Sequence, residues 1–415
     1  MVRGIGQQSN EPSLVATAAV CVAEVLNMAG YSLAAALLPQ FIDDWALTNT
    51  GAGWLAGMVF AGYMVGVLPL VSLTDRISSR SIYLASSILS ALSCFGVALS
   101  GSLVPALSFR ALGGIALAGM YMPGLRSLTD PVQGKRRARI AAFYTSSFTI
   151  GVSLSFLIGR LGLQSNWRSA FILAGMLGTG GVAIAWIALP QSRNASSERV
   201  RPKVAFSPAF RNRNALTLTF AYAAAIWGSA GLRQWIVAFL TFCAPDRGGD
   251  ADKAWSILTT GALVSLLGVP AGLLGNEWSI RFGLKRVAII VFLVSGIGGG
   301  LFGLTAMLPY LVVIWLALSV GFIAQCNFAN LTAGLLSVTE SRHSGPIMGL
   351  YSCIGFGGGF LGTVAFGMCL DLFGGSDRSI AWVVAFAGCG LICLAGAAAM
   401  TFLKGYDGVT DPSNP

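Results

Sequence analysis

Apolar runs of about twenty residues recur along the whole chain, and short polar connections separate them. A bilayer core about 30 Å thick is crossed by about 20 helical residues, so each run has the length of a transmembrane helix. The sequence therefore predicts an all-α membrane protein with twelve transmembrane helices. The runs are centred near Asn27, Ala61, Leu89, Ala116, Ile150, Gly178, Ile226, Leu263, Gly296, Gly321, Gly358 and Leu391.

The composition agrees with a location in lipid. Hydrophobic residues make up 55% of the chain, charged residues make up 10%, and the mean hydropathy is +0.74. Soluble proteins contain about 25% charged residues. The 53 glycines suit helices that pack closely through small residues. The first apolar run is long and is followed by further spans, so we expect no cleavable signal peptide.

Lys and Arg side chains cluster in every second connection, which marks the cytoplasmic side of a membrane protein. We therefore expect both termini in the cytoplasm, an even number of spans and a cytoplasmic (inner) membrane location. This topology accounts for the net charge of +10, so we expect no nucleic-acid partner. The opposite side carries only Arg160, Arg168, Arg247, Lys253 and Arg378.

The eight cysteines form no Cys-x-x-Cys pair and lie mainly within or at the ends of apolar runs. Cysteine packs as a small hydrophobic residue in such places. The only histidine, His343, stands alone in a predicted cytoplasmic loop. We therefore expect packing cysteines, with no disulfide framework, metal site or cofactor.

An internal repeat divides the chain near its middle. Trp54 precedes Pro69 by the same interval as Trp255 precedes Pro270, and Tyr144 and Gly151 have the same relation as Tyr351 and Gly358. Parallel repeats are a recurring plan of transporters. We predict two pseudo-symmetric six-helix bundles, residues 1–190 and 214–415, which are joined by a polar cytoplasmic linker at residues 191–213.

The connection between spans two and three reads Leu73-Thr-Asp75-Arg76-Ile-Ser78-Ser-Arg80. It resembles the Gly-x-Leu-Ala-Asp-Arg-x-Gly-Arg-Lys signature of the major facilitator superfamily (MFS), with Val71 and Ser78 in place of the two glycines. The half-repeat at Trp278-Ser-Ile-Arg281-Phe-Gly283-Leu-Lys285 keeps the Arg, Gly and Lys positions. The resemblance implies the MFS fold.

The same resemblance implies that Asp75, Arg76 and Arg80 form a cytoplasmic gate. A carboxylate can accept helix N-terminal amides while neighbouring arginines pair with the opposing half. We expect Asp75 to latch the outward-facing state.

Span four contains Arg110-Ala-Leu-Gly113-Gly114-Ile-Ala116, which resembles the Arg-x-x-Gln-Gly-x-Gly element of the superfamily. In families with proton coupling, the resemblance implies a role of this arginine in proton transfer. Arg110 lies about 10 Å from the outer end of its helix, at 1.5 Å per residue. The alternative is an arginine that snorkels to the outer headgroups.

Glu24 is the only one of the 16 acidic residues that falls in the middle of a long apolar run. An intramembrane carboxylate costs at least about 3 kcal/mol, so it is a functional-site candidate that needs a partner. The candidate partners are Arg110 and Arg233, which lies well inside span seven. We therefore expect Glu24 and Arg110 to serve proton coupling.

In the superfamily, spans one, four, seven and ten line a central cavity, and the resemblance extends that role to their polar residues here. Tyr144 and Tyr351 open spans five and eleven and could frame the cytoplasmic end of the path. An Asn or Tyr in a helix serves as often in packing as in ligand contact. The candidate substrate-binding residues are Asn27, Tyr31, Tyr121, Tyr144, Trp227, Arg233, Gln234, Asn327, Asn330 and Tyr351.

These features predict a monomeric secondary active transporter that uses alternating access. The excess positive charge favours a small anionic or zwitterionic organic substrate. We expect Glu24 to exchange protonation, or an ion pair with Arg110 or Arg233, for substrate binding during proton-coupled symport. The chain is similar to small-anion uptake carriers of the cyanate-permease type. Its partners would be this small-molecule substrate, protons and the lipid bilayer.

Two other functions compete with this prediction. A proton-driven multidrug or metabolite efflux antiporter is the main alternative, although span five lacks the Gly-Pro step that such families usually carry. A polytopic enzyme or receptor would need an acid-base pair, a nucleophile, a metal cluster or a soluble module. None is evident in the sequence, so we expect no enzymatic activity.

Overall fold

The computed structural model describes residues 12–74, 76–132, 134–164, 166–189, 212–244, 251–339 and 344–403. Every regular element in these ranges is a helix. The first group comprises α1 (Leu14–Asn27), a 3₁₀ turn (Met28–Gly30), α2 (Leu33–Ala36), α3 (Leu38–Trp45), α4 (Asn49–Leu73), α5 (Ser79–Leu99), α6 (Leu103–Thr129), α7 (Gly134–Gln164) and α8 (Trp167–Ala188).

The second group follows the central connection, of which residues 190–211 lie outside the described ranges. The boundary predicted at residues 191–213 therefore stays a prediction. This group comprises α9 (Arg213–Cys243), α10 (Ala251–Leu266), α11 (Gly268–Phe282), α12 (Leu284–Leu301), a 3₁₀ segment (Phe302–Met307), α13 (Tyr310–Gln325), α14 (Asn327–Ser337), α15 (Ser344–Leu372) and α16 (Ser379–Thr401).

Eleven helical segments in the described part of the chain have the length and apolar composition needed to cross a bilayer. Three of them combine consecutive elements: Ile257–Phe282, Leu284–Met307 and Tyr310–Ser337. A shorter apolar helix, Leu14–Gly30, supplies the twelfth. The predicted all-α membrane fold with twelve helices is confirmed.

Small residues bring helix backbones together, as the glycine content predicts. A Cβ atom added to Gly62 of α4 would overlap the backbone oxygen of Ala111 in α6. A Cβ atom on Gly114 of α6 would overlap the backbone oxygen of Val59 in α4. Only glycine fits at either position, so this crossing depends on both residues.

Gly283 is the single residue between α11 and α12. Its φ angle is +88°, which lies in the left-handed region that side chains disfavour. The glycine that the half-repeat motif retains therefore makes the tight turn between spans eight and nine.

The largest buried cluster joins the two groups of helices at one end of the bundle. Phe41 and Trp167 from the first group and Trp235 and Trp382 from the second belong to this one cluster. At the opposite end, a separate cluster contains only residues from α9 onward. We name the joined end, with the loops at residues 46–48, 100–102 and 373–378, the outer end, after the predicted orientation.

Candidate functional site

The first span is broken near its middle. Helix α1 ends at Asn27, and a 3₁₀ turn and two turn residues precede α2 at Leu33. A break leaves backbone carbonyls without their helical N–H partners, and in a bilayer such groups must be satisfied by other protein groups. The segment from Asn27 to Ser32 therefore needs donors from neighbouring helices.

Side chains of three other helices supply those donors. Ser90 Oγ of α5 donates to the Asn27 carbonyl at 3.3 Å, and Ser155 Oγ of α7 donates to the Met28 carbonyl at 2.9 Å. Arg110 of α6 donates from its two terminal nitrogens to the carbonyls of Gly30 and Tyr31, at 3.1 and 2.9 Å. Three neighbouring helices thus stabilise the break in span one.

Arg110 is only 4% exposed, and its guanidinium points at this break. The alternative of an arginine that snorkels to the outer headgroups is wrong, because both terminal nitrogens are used within the protein. The planar guanidinium group presents two terminal nitrogens that can donate to two adjacent carbonyls, whereas the ammonium group of a lysine is a single point donor. Arg110 therefore caps the broken first span.

Glu24 lies one turn before the break and is completely buried. Its Oε2 atom accepts hydrogen bonds from the hydroxyls of Tyr83 at 3.1 Å and Tyr144 at 2.9 Å. Tyr144 also approaches the Met120 carbonyl at 3.2 Å, while Oε1 of Glu24 has no hydrogen-bond partner. Two phenols from α5 and α7 therefore hold the carboxyl group.

Asn27 extends this cluster toward the break. Its side-chain amide donates to the hydroxyl of Tyr83 at 3.3 Å and to Ser87 Oγ at 3.2 Å. Tyr83 thus accepts from Asn27 and donates to Glu24. The sequence prediction does not include Tyr83 and Ser87, because the resemblance implies no site residues on span three. Their spacing of one helical turn on span three was the available signal.

The expected ion pair of Glu24 is not formed in this structure. Among the described residues, neither Arg110 nor Arg233 makes a salt bridge with it. Arg110 is turned toward the break, and Arg233 belongs to the second group of helices. Glu24 is therefore an acid that is buried with hydroxyl partners and without a cation.

Aromatic rings surround Tyr31 beside the break. The Tyr31 ring contacts Phe60 and Phe148 edge to face, with centroids 6.3 and 5.8 Å apart. Phe148 also contacts Tyr121 at 5.3 Å. The centre of the first group of helices is thus lined by aromatic side chains from α4, α6 and α7.

Arg233 faces this region from α9. It lies within electrostatic range of Tyr31 and Tyr222, and its Nε atom has no hydrogen-bond partner. Tyr222 stacks on Tyr351 at 4.0 Å, and the Tyr351 hydroxyl is 3.1 Å from Thr332 Oγ1. Tyr222 therefore contacts Tyr351 directly, and Arg233 lies in the vicinity of Tyr31 and Tyr222.

Gln234 neighbours Arg233 in sequence and is fully buried. Neither its amide nitrogen nor its amide oxygen has a hydrogen-bond partner. Buried amides are nearly always paired, so Gln234 has hydrogen-bonding capacity that the described residues do not use.

Trp227 lies on α9 and contacts helices of the second group. Six residues separate it from Arg233, which is about 240° around a helix axis. A Cβ atom on Gly362 of α15 would lie 2.8 Å from the Trp227 ring, and Cys389 of α16 is also close to Trp227. Trp227 and Arg233 thus lie on different faces of α9, and the role of Trp227 in substrate binding stays a prediction.

Asn327 and Asn330 make hydrogen bonds to α12 and to each other. Asn327 donates to the Ala288 carbonyl of α12 at 3.4 Å, and Asn330 donates to Asn327 Oδ1 at 3.1 Å. The face of span ten toward Tyr222 and Tyr351 instead carries Phe328 and Thr332. The asparagines pack at the junction of α13 and α14.

A family model described as Major Facilitator Superfamily matches residues 20–279 of the chain. The chain belongs to this superfamily. The curated relatives that the chain matches are named as transporters.

Known relatives and structures agree with this membership. The niacin transporter NiaP of Acinetobacter baylyi is 22% identical over 141 residues, which cover 34% of this chain and 32% of NiaP. The multidrug transporter MdfA of Yersinia pestis is 25% identical over 158 residues, which cover 38% of this chain and 37% of MdfA. The matches span about a third of the length of these relatives.

A solved structure extends the likeness to nearly the full chain. The bacterial homolog of the human lysosomal transporter Spinster, in its inward-facing and unoccupied conformation, superposes with a TM-score of 0.71. The two sequences are 17% identical, and the superposition covers 96% of each chain. This likeness shows the MFS fold.

The superfamily signature loop is only partly described. Asp75 lies outside the described residues, and Arg76 is exposed. Arg80 donates to the Trp186 carbonyl, and its guanidinium lies 5.8 Å from the Trp186 ring centroid. The expected pairing of Arg80 with the opposing half is wrong for this structure. Trp186 lies in the last turn of α8, where carbonyls have no helical N–H partner, so its carbonyl is free to accept from Arg80 of α5.

Proposed function

We propose that this chain is a proton-coupled secondary active transporter that moves a small organic anion or zwitterion by alternating access. The observation that carries the proposal is the state of Glu24. It is fully buried, bonded to two tyrosine hydroxyls, and forms no ion pair within the described residues. A carboxylate buried without a cation is costly, and protonation removes that cost.

In the proposed cycle, Glu24 carries the proton. The closed site holds the neutral acid between Tyr83 and Tyr144. When the helices move and water enters, the acid releases its proton. Arg110 takes part indirectly, because it fixes the backbone break that follows Glu24.

Arg233 is the proposed anion-binding group. Its guanidinium makes no ion pair with a described acid, and Gln234 beside it has an unpaired amide. A guanidinium can hold a carboxylate through two parallel hydrogen bonds. Tyr31 and Tyr222 provide flanking rings, while small anions such as cyanate would use the guanidinium alone.

Efflux of larger compounds is the second candidate function. The similarity to a multidrug transporter and the rings around Tyr31, including Phe60 and Phe148, support it. Such a carrier would recognise apolar or cationic compounds through those rings rather than through Arg233.

We further propose that the chain resides in a bacterial cytoplasmic membrane as a monomer, with both termini on the cytoplasmic side. The bacterial relatives support the membrane, and the charge distribution supports the orientation. The two six-helix halves would move against each other around the site.

A thermal-shift screen of the purified protein tests the substrate class. Small carboxylates, inorganic anions and lipophilic cations are compared for the wild type, Arg233→Ala and Arg281→Ala. Arg281 is the control because it is an exposed arginine paired with Glu277. We expect carboxylates to stabilise the wild type and Arg281→Ala but not Arg233→Ala. Stabilisation by cations alone would contradict the anion proposal and favour efflux.

A further inference from the structure

The carboxylate of Asp371 links the two halves at the outer end. Asp371, in the last turn of α15, accepts four hydrogen bonds from the first two residues of α4. Its Oδ1 accepts from the backbone N–H and the side-chain amide of Asn49, at 2.9 and 2.8 Å. Its Oδ2 accepts from the backbone N–H and the hydroxyl of Thr50, at 2.8 and 2.6 Å.

This arrangement is a helix cap supplied by another part of the chain. The first N–H groups of a helix have no partner within the helix and carry partial positive charge, so a carboxylate is favourable there. Thr48 caps its own helix at the Gly51 N–H, and Asp371 satisfies the N–H groups of Asn49 and Thr50. Span eleven therefore supplies the hydrogen-bond acceptor for the first N–H groups of span two.

The surrounding contact is tight enough to hold this geometry. A Cβ atom on Gly367, one turn before Asp371, would overlap the Asn49 backbone oxygen. A Cβ atom on Gly53, one turn into α4, would lie 2.9 Å from the Thr363 backbone oxygen. The two helix backbones thus touch for two turns beside the cap, where the cluster containing Trp235 joins the halves.

We infer that Asp371 is an outer-gate residue, which closes the outer end by capping α4 and must release α4 when that end opens. The inference rests on the proposed alternating access but not on the identity of the substrate or the coupling ion. If the halves part at the outer end, the ends of α4 and α15 separate, and four hydrogen bonds are lost together. Asp371→Asn keeps the shape of the side chain, removes its charge and replaces one acceptor with a donor.

Double electron–electron resonance measures the opening without a substrate. Spin labels at Ser102→Cys and Met307→Cys, one exposed site at the outer end of each half, report the distance in a protein whose eight native cysteines are replaced. We expect Asp371→Asn to raise the ratio of long to short distances about fivefold, as for the loss of an N-cap. Thr50→Val should raise it less, and Thr50→Ser should retain the wild-type ratio.

Asp44→Asn is the matched control. Asp44 lies at the same end, but its carboxylate accepts the indole N–H of Trp167 within its own half, at 2.8 Å. We expect this change to leave the distance ratio unaltered. If wild type shows two distances and neither Asp371→Asn nor Thr50→Val changes their ratio, the gate role is wrong while the transport proposal stands. If the wild type and every variant show one unchanged distance, the outer end does not open, and the proposed alternating access is wrong.

Discussion

The hydroxyl of Tyr144 lies 2.9 Å from Oε2 of Glu24, although 120 residues separate the two along the chain. The hydroxyl of Tyr83 reaches the same oxygen at 3.1 Å from another helix. Helices α5 and α7 therefore hold a carboxyl group of α1 in one position. Glu24, Tyr83 and Tyr144 form one hydrogen-bonded cluster, and each of the three can be substituted separately.

Tyr144→Phe removes one donor from this cluster and keeps the ring. We expect the free energy of unfolding to fall by about 1 kcal/mol, the usual loss for one hydrogen bond in a buried place. Denaturant unfolding in detergent measures the change. The same substitution in a Glu24→Ala background should cost less, because the acceptor is gone. An equal cost in both backgrounds would assign the loss to the contact of the Tyr144 hydroxyl with the Met120 carbonyl.

Glu24→Gln removes the ionisable group and keeps its size. We expect proteoliposomes to lose the stimulation of uptake by an imposed pH gradient and to retain exchange of the carboxylate identified by thermal shift. Stability should change by less than about 1 kcal/mol, because no ion pair is broken. Full gradient-driven uptake by this variant would show that Glu24 does not couple transport to protons.

The sequence predicted the spans because bilayer thickness fixes the length of each, and their number follows from counting the apolar runs. It also identified Glu24, since a carboxylate within an apolar run is conspicuous. The break in span one was not predicted, because isolated polar residues and glycines such as Asn27, Gly30 and Ser32 also occur in continuous transmembrane helices. Run length alone does not distinguish a continuous helix from an interrupted one.

The partners of Glu24 were not predictable for another reason. Hydrophobic length sets where a helix lies in the membrane, but packing between helices sets its rotation and depth. Tyr83 is one of nine tyrosines, and nothing in its own segment points to Glu24. For Trp227, the helical period alone predicts a different face of the helix from Arg233.

Gly62→Ala tests the close crossing of α4 and α6. The added methyl group would overlap the backbone oxygen of Ala111, which cannot turn aside as a flexible side chain could. We expect a loss of about 1–3 kcal/mol in the free energy of unfolding, as for other overpacked sites. Gly180→Ala on α8 is the control, because a Cβ atom there meets no other atom within 4 Å. Equal stability of the two variants would contradict a backbone contact between α4 and α6 at Gly62.

Arg110→Met and Arg233→Met distinguish a structural role of Arg110 from a substrate-binding role of Arg233. Arg110 donates to the carbonyls of Gly30 and Tyr31, whereas Arg233 forms no ion pair with a described acid. Methionine fills similar space but leaves both carbonyls without donors, so we expect a loss of about 2–4 kcal/mol in unfolding free energy. Arg233→Met should stay within about 1 kcal/mol of wild type and lose carboxylate binding instead. If Arg110→Met were the more stable protein, the cost of burying the guanidinium would exceed its hydrogen bonds. Arg110 would then be retained for transport rather than for the break.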